Sequence, residues 1–461
     1  MGKLEKIAPG GARCPGPSTR DIILDDPTPT PAAITEENYR FLGDKDVSFD
    51  AYIDPAVHDA EIDHMWSRTW QMVCREESIP NANDSIVYDV GRHSVIVIRQ
   101  RDMSLKAFIN SCPHRGMQLL PAGSRENNKA FICPFHGFTF KTSGELMKVP
   151  CEWDFPHVDR GDYGLDEVHV DSWGGFIFIN LDEAENPTPL LEYLEVMPEH
   201  FQAWSLEKRH LTLHVEKILP ANWKLAMEAF LEAYHVVTTH PEGLPTAGDA
   251  NAQYDVYGEN VSRFVHTIGF PSPHLNRKRS EPALLKALGG DELGLTLKEG
   301  QTAREVYAEH LRGTLGKQMR VDLSAVSISE MIDSIEYYCF PNFFVFPGVS
   351  LPMVYRFRPN GDDVDTCIFD LMFLQPTPKG EAPPKAPDPI RIGLDKKFVD
   401  VPELAPGLAY IYDQDVDNLL QQTRGIKASR KRGQTLGNYQ EVRIRQMRMT
   451  LDRYLSEGAE K

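Results

Sequence analysis

The feature that most constrains this chain is a pair of short loops built from metal ligands. Cys112-Pro113-His114-Arg115-Gly116 and Cys133-Pro134-Phe135-His136-Gly137 spell C-x-H, eighteen residues, then C-x2-H. Each loop offers one soft thiolate and one imidazole, so folding the loops together surrounds one point with two sulfur and two nitrogen ligands. Two occupants fit: a structural zinc ion or a [2Fe-2S] cluster. Zinc fingers usually place both cysteines in one pair and both histidines in the other, because four equivalent tetrahedral positions have no need of mixed loops. A cluster in which one iron takes two Cys and the other two His needs the mixing, since each loop must reach both metals. Pro and Gly beside the ligands suit tight loops whose backbone amides turn toward cluster sulfides.

On these residues the chain resembles the large (alpha) subunit of the Rieske non-haem iron ring-hydroxylating oxygenases, from about residue 50 to the C-terminus. The interval between the loops is slightly longer than the family pattern, and the excess falls in the polar stretch 122–129. The resemblance implies one Rieske [2Fe-2S] cluster on Cys112, His114, Cys133 and His136. It also implies an α+β fold class: an antiparallel β Rieske domain plus an α+β catalytic domain with a helix-grip-like antiparallel sheet.

Length and composition set the outer bounds. A chain of 461 residues has room for two or three domains with sizeable cores. Its 49 basic and 67 acidic residues give a net charge of −18, which argues against nucleic acid or an anionic membrane surface as partner. No run approaches the roughly 18 apolar residues of a membrane span, and the start lacks the apolar core of a signal peptide. Seven scattered cysteines, among them Cys14, Cys74, Cys151, Cys339 and Cys367 outside the loops, fit a reducing compartment. The expectation is a cytoplasmic protein with no membrane and no nucleic-acid partner.

Three regions follow from patterning. Residues 1–50 read as an N-terminal arm and linker, rich in Pro, Gly and charge and extended over its first 33 residues. Residues 51–172 read as the cluster domain, opening on a helix over 50–68. Short β-rich runs follow at 85–90, 94–99, 105–110, 130–133 and 138–141. Residues 173–461 read as the catalytic domain, with the run 173–181 open to either side of the boundary. It is expected to hold a strand at 210–218, a polar loop near 241–260 and strands at 342–346, 354–358 and 366–374. Helices are expected at 404–424 and 440–457, with Arg443, Arg445, Arg448 and Arg453 of the last forming a solvated face.

The most informative stretch of the second region runs from Asn222 to Pro241. His235 and His240 are five apart, which leaves them about 140° out of line on a regular α-helix. To share a metal, the helix must bulge or end between them, and the weak helix formers Thr238 and Thr239 followed by Pro241 allow that. The pair resembles the family's two iron-ligating histidines, which implies a 2-His-1-carboxylate centre holding mononuclear Fe(II) with positions open for O2. The carboxylate is expected in the run 413–417, where Asp415 best matches the family pattern and Asp413 and Asp417 are the alternatives. Glu232 stands where the family carries the acid linking the two metal centres. Many members have Asp there, and some oxygenases of quaternary ammonium compounds have Glu. Ala229, Phe230, Val236 and Tyr412 are the candidate substrate-pocket residues by position.

The resemblance implies a terminal oxygenase of aromatic hydrocarbon catabolism type, which hydroxylates, typically cis-dihydroxylates, an aromatic or hydrophobic small molecule. The chain carries no flavin or nicotinamide fingerprint, so NAD(P)H electrons must arrive through a separate reductase, with or without a ferredoxin. A homotrimer is implied, with the cluster of one subunit near the iron of the next; a beta subunit is left open. The alternative within the class is a monooxygenase or demethylase of an aryl ether or quaternary ammonium compound. Outside the class stand a Rieske electron carrier and a zinc-stabilised binding protein.

Overall fold

The computed structural model describes residues 7–275 and 279–459. After a short helix α1 (Thr19–Leu24) and a second, α2 (Pro55–Glu61), the chain enters its first sheet. Its strands are β1 (Gln71–Arg75), β2 (Asp84–Val90), β3 (His93–Arg99), β4 (Leu105–Ile109) and β5 (Arg125–Asn127). A three-stranded meander β6 (Phe131–Ile132), β7 (Thr139–Phe140) and β8 (Leu146–Lys148) follows, and then β9 (Glu167–Trp173) and β10 (Phe176–Asn180) return to the first sheet. The order β1-β10-β9-β4-β3-β2-β5 is antiparallel throughout. The meander covers one face of it through a core that includes Ile96, Ile98, Phe108, Phe131, Phe138 and Phe140.

The second sheet begins with β11 (Arg209–Leu219), and the two short helices α3 (Trp223–Glu228) and α4 (Val236–Thr239) follow. A hairpin of β12 (Gln253–Tyr257) and β13 (Val261–His266) leads through an insertion bearing α5 (Ala303–Met319) to β14 (Ser334–Cys339) and β15 (Phe343–Val345). The long hairpin β16 (Met353–Asn360) and β17 (Asp363–Pro376) precedes β18 (Ile390–Ile392). The order is β12-β13-β14-β15-β16-β17-β11-β18, antiparallel except for the β11–β18 edge. Two terminal helices, α6 (Pro406–Ala428) and α7 (Val442–Ala459), lie over this sheet and bury Tyr412, Leu419, Met447 and Leu451 against it. This is a helix-grip arrangement.

The two sheets share one core. Val73, Val95 and Ile177 of the first pack in the same cluster as Val215, Phe357 and Phe369 of the second, and Trp66 meets Trp223 edge to face at 5.0 Å.

Four expectations change. A boundary at 172/173 would cut the β9–β10 hairpin, since β10 pairs with both β9 and β1; the first sheet ends only after Asn180. The arm is not extended throughout. Ser18 and Asp21 form a capping box that starts α1, and Ile23 and Ile34 are buried in the second core cluster. Six residues are too few for a helical period to show in the sequence. The polar segment 241–260 ends in a buried strand, because Asp255 lies directly across from Arg263 and pairs with it at 2.7 Å. Finally, Arg443, Arg445 and Arg448 are buried, and only Arg453 reaches solvent to any degree. The Arg443 guanidinium bonds Glu336 of β14 at 2.7 Å and reaches Ser262 of β13 at 3.1 Å.

A buried ion pair contributes little over apolar packing, but removing one partner strands the other charge. Arg443→Met should therefore lower the unfolding free energy by about 3–5 kcal/mol, and adding Glu336→Gln should recover part of it. Urea titrations of the single and double variants measure both.

Candidate metal centres

The two cysteine loops share one hydrogen-bond plan. Cys112 N–H donates to Met117 O (2.9 Å) and Gly116 N–H to Cys112 O (2.8 Å). Cys133 N–H donates to Phe138 O (2.8 Å) and Gly137 N–H to Cys133 O (3.0 Å). Gly116 and Gly137 both sit at φ 73°, a left-handed turn that side chains resist. The first loop follows β4 and the second joins β6 to β7, so each sheet of the sandwich presents one loop. Both thiols are buried. Burial raises the Cys112 pKa and the neighbouring Cys133 raises it further, while the N–H groups of His114 and Arg115 oppose them.

The His114 and His136 rings meet at 4.7 Å, and His114 stacks on Phe138. The Nδ1 atoms of both are buried without a hydrogen-bond partner. Two inward imidazole nitrogens lacking partners beside two thiols are the donor set of a mixed-ligand [2Fe-2S] cluster, and the residues fit that group. Around this tip Phe135 and Trp153 are exposed.

The second site is built on a broken helix. Asn222 caps α3 through its side chain, which accepts from Lys224 N–H. The chain then leaves the helix at Ala229 and resumes at Val236 for a single turn. His240 follows that turn with φ −123° and ψ 55°, outside the helical region. The helix therefore ends between the two histidines, and both rings face α6. His240 Nε2 lies 2.9 Å and His235 Nε2 3.4 Å from Asp415 Oδ1, and one ligand atom from each residue falls within 4.8 Å of the others.

The opposite ring nitrogens are tethered. His235 Nδ1–H donates to Glu232 Oε1 (2.7 Å), whose Oε2 accepts the His235 backbone N–H (3.0 Å). His240 Nδ1–H donates to Gln414 Oε1 (2.8 Å). Protons held at Nδ1 leave both Nε2 lone pairs facing a carboxylate, an acceptor-only set that calls for a cation. Burial opposes the imidazolium of His235, yet hydrogen bonds and charge from Asp415 and Glu232 outweigh it and push its pKa up to about 10. The pull of the two carboxylates on a positive charge between them is what a cation would satisfy, and the residues fit a facially bound Fe(II).

The other acids of the run do different work. Asp413 accepts the N–H groups of Phe398 (2.8 Å) and Val399 (3.1 Å), and Asp417 pairs with Lys397 at the surface.

A cavity of about 180 Å³ adjoins the triad, with Ala229, Glu232, His235 and Asp415 in its wall. Phe230 and Tyr412 are not in that wall. They join an aromatic cluster in which Tyr412 Oη meets Tyr355 Oη at 2.7 Å. Val236 packs on the other side, against Ala252, Tyr254 and Phe264. Sequence reasoning missed Gln414, Glu228 and Glu441. The last two line the cavity, and Glu228 accepts from Tyr52 Oη at 2.7 Å. Gln414 carried a signal, since it precedes the candidate ligand; Glu228 and Glu441 carried none. Burial pushes the Glu441 pKa up to about 7, with the Gly437 N–H opposing and the charges of Glu232 and Glu228 adding to it.

The chain matches the Rieske [2Fe-2S] domain over residues 69–159 and the ring hydroxylating alpha subunit (catalytic domain) over residues 197–457. It is 32% identical over 198 residues to the biphenyl 2,3-dioxygenase subunit alpha of Rhodococcus jostii (strain RHA1), covering 42% of this chain and 43% of that protein. It is also 32% identical over 197 residues to the carnitine monooxygenase oxygenase subunit of Escherichia coli (strain K12), covering 41% of this chain and 50% of that one. The match thus spans half or less of either relative's length. Among solved structures, a naphthalene 1,2-dioxygenase variant bound to phenanthrene superposes with a TM-score of 0.63 at 21% identity, covering 92% of this chain and 95% of that one. That likeness is one of fold.

Two outcomes test the site. Asp415→Ala should abolish mononuclear iron while the visible and electron-spin spectra of the cluster persist; metal analysis and spectroscopy read both. Glu441 is raised, so its ionisation disfavours the fold. The penalty is absent below its unfolded pKa and complete above about pH 7. Glu441→Gln should therefore match the parent's melting temperature at acid pH and exceed it at pH 8.

Proposed function

The chain belongs to the ring-hydroxylating alpha subunits that carry a Rieske [2Fe-2S] domain, and from that premise we propose that it is the terminal oxygenase of a Rieske-type system. Cys112, His114, Cys133 and His136 would hold the cluster, and His235, His240 and Asp415 the mononuclear iron. When bound, the cluster stores and passes single electrons and the ferrous iron binds and activates O2. The observation that carries the reading is the convergence of two Nδ1-tethered imidazoles on one buried carboxylate.

The protein's own contribution is positional. Glu232 keeps a proton on His235 Nδ1, and Gln414 does the same for His240, so both rings present Nε2. Glu232 also occupies the cavity wall, where it can accept a further donor from a cluster histidine of a neighbouring subunit. The small side chain of Ala229 leaves space beside the triad. Burial of Asp415 and His240 keeps bulk water from the ligands. Electrons come from NAD(P)H through a separate reductase, with or without a ferredoxin, and the working assembly is a homotrimer in which adjacent subunits complete each site.

The favoured reaction is hydroxylation, with cis-dihydroxylation first, of an aromatic or hydrophobic substrate. One observation supports the second reading, monooxygenation or demethylation of an aryl ether or quaternary ammonium compound: Glu228, Glu232 and Glu441 line the cavity and no Lys or Arg does among the described residues. Chemically reduced enzyme given ¹⁸O2 and a panel of aromatic acids, polycyclic aromatics, aryl ethers and betaines decides between them. Two labelled oxygens and two added hydrogens in the product establish cis-dihydroxylation. One labelled oxygen, or a methyl released as formaldehyde, establishes the second reading.

A further inference from the structure

The segment between α3 and α4 carries Glu232 and His235, yet its backbone leaves the i→i−4 pattern, with only two tight turns, Phe230 N–H to Met227 O and Leu231 N–H to Glu228 O, at its start. In a continuous helix the Ala233 N–H would bond the carbonyl four residues back. Here it donates to Tyr254 Oη at 3.0 Å. Ala233 is 1% exposed and Tyr254 is fully buried, so water cannot take over that bond.

Tyr254 is itself held from the far end of the chain. Its ring meets Tyr439 edge to face at 5.3 Å, and Tyr439 meets Tyr39 of the N-terminal arm at 5.2 Å. The Arg13 guanidinium lies over both of those rings, 3.8 Å from the Tyr439 centroid and 4.4 Å from that of Tyr39. Tyr39 Oη donates to Asn438 O at 3.0 Å, which clamps the loop that carries Tyr439.

We propose that Tyr254 is a positioning residue of the iron site, holding the Ala233 backbone so that Glu232 and His235 keep their geometry, and that Arg13 and Tyr39 of the arm brace it through Tyr439. The inference rests on the reading of His235 as an iron ligand. An outer hydrogen-bond partner of a metal ligand typically changes metal affinity by 10- to 100-fold, and Tyr254 acts one residue further back, so the lower end of that range applies.

Tyr254→Phe removes one oxygen and keeps the ring, and it is tested in the full-length, metal-loaded protein. Three measurements are made: release of mononuclear iron to a ferrous chelator, the rhombicity of the electron-spin spectrum with nitric oxide as probe, and amide hydrogen exchange over residues 229–236. The expected result is an unchanged cluster spectrum, iron release faster by about tenfold, a shifted rhombicity and faster exchange confined to that segment. Arg13→Ala, at the solvent end of the brace, should move all three the same way by less.

A variant with lower stability in urea but unaltered iron release and rhombicity would make Tyr254 a packing residue only and overturn the proposal. If the parent protein holds no iron beyond its cluster, the reading of the site fails. Hydrogen exchange still decides whether Tyr254 orders the turn, and unchanged exchange in Tyr254→Phe overturns the proposal on its own.

Discussion

Two imidazoles five residues apart meet one carboxylate here because the helix that carries them is a single turn, Val236–Thr239, that ends before His240 and is cut off from the preceding helix by a break over residues 229–235, and much of the catalytic region holds that broken stretch in place. The break removes backbone hydrogen bonds that the protein interior does not leave unmade. Side chains replace them: Tyr254 Oη accepts from Ala233 N–H, the Glu232 carboxylate from His235 N–H, and Arg443 Nη1 reaches Leu231 O at 3.4 Å. These partners come from a strand, from the turn itself and from the last helix. The site is therefore only as ordered as the packing of those three elements.

Buried charge fastens the same region. Lys224, in α3, is fully buried against Glu61 of α2 at 2.7 Å, which fastens the segment leading to His235 and His240 to the helix that opens the cluster domain. Burial brings the Lys224 pKa down to about 8 against the pull of Glu61. Arg263 and Asp255 fix the register of the hairpin that presents Tyr254. Pairs of this kind add little net stability over apolar side chains of the same size. They do penalise every register in which a partner is missing, and a site assembled from distant strands needs that specificity.

Legibility in the sequence follows from the range of the interactions. The approach of the loops bearing Cys112, His114, Cys133 and His136 was readable because ligand chemistry and spacing lie within two short stretches. The end of the helix before His240 was readable from helix geometry, whereas Asp415 was reached only through the resemblance to the family's pattern. The strands 253–257 and 334–339 were not readable, because Asp255 and Glu336 are charged residues buried by ion pairs, with Arg263 across the hairpin and with Arg443 more than a hundred residues away, and a buried charge breaks the alternating apolar pattern. For the same reason α7 looked like a solvated face. Phe230, Val236 and Tyr412 lie near the ligands in sequence, but the broken helix turns Val236 to one side and Phe230 to the other, leaving Ala229 on the cavity.

The two metal sites also differ in how they can form. The cluster loops are twenty-one residues apart, whereas Asp415 is 175 residues from His240. Loop-closure entropy grows with the logarithm of separation, so the longer closure costs about 2 kcal/mol more. It also requires β11 through β18 to pair before α6 has a surface to lie on. The cysteine loops thus close within one small domain, whereas His235, His240 and Asp415 close across the second sheet.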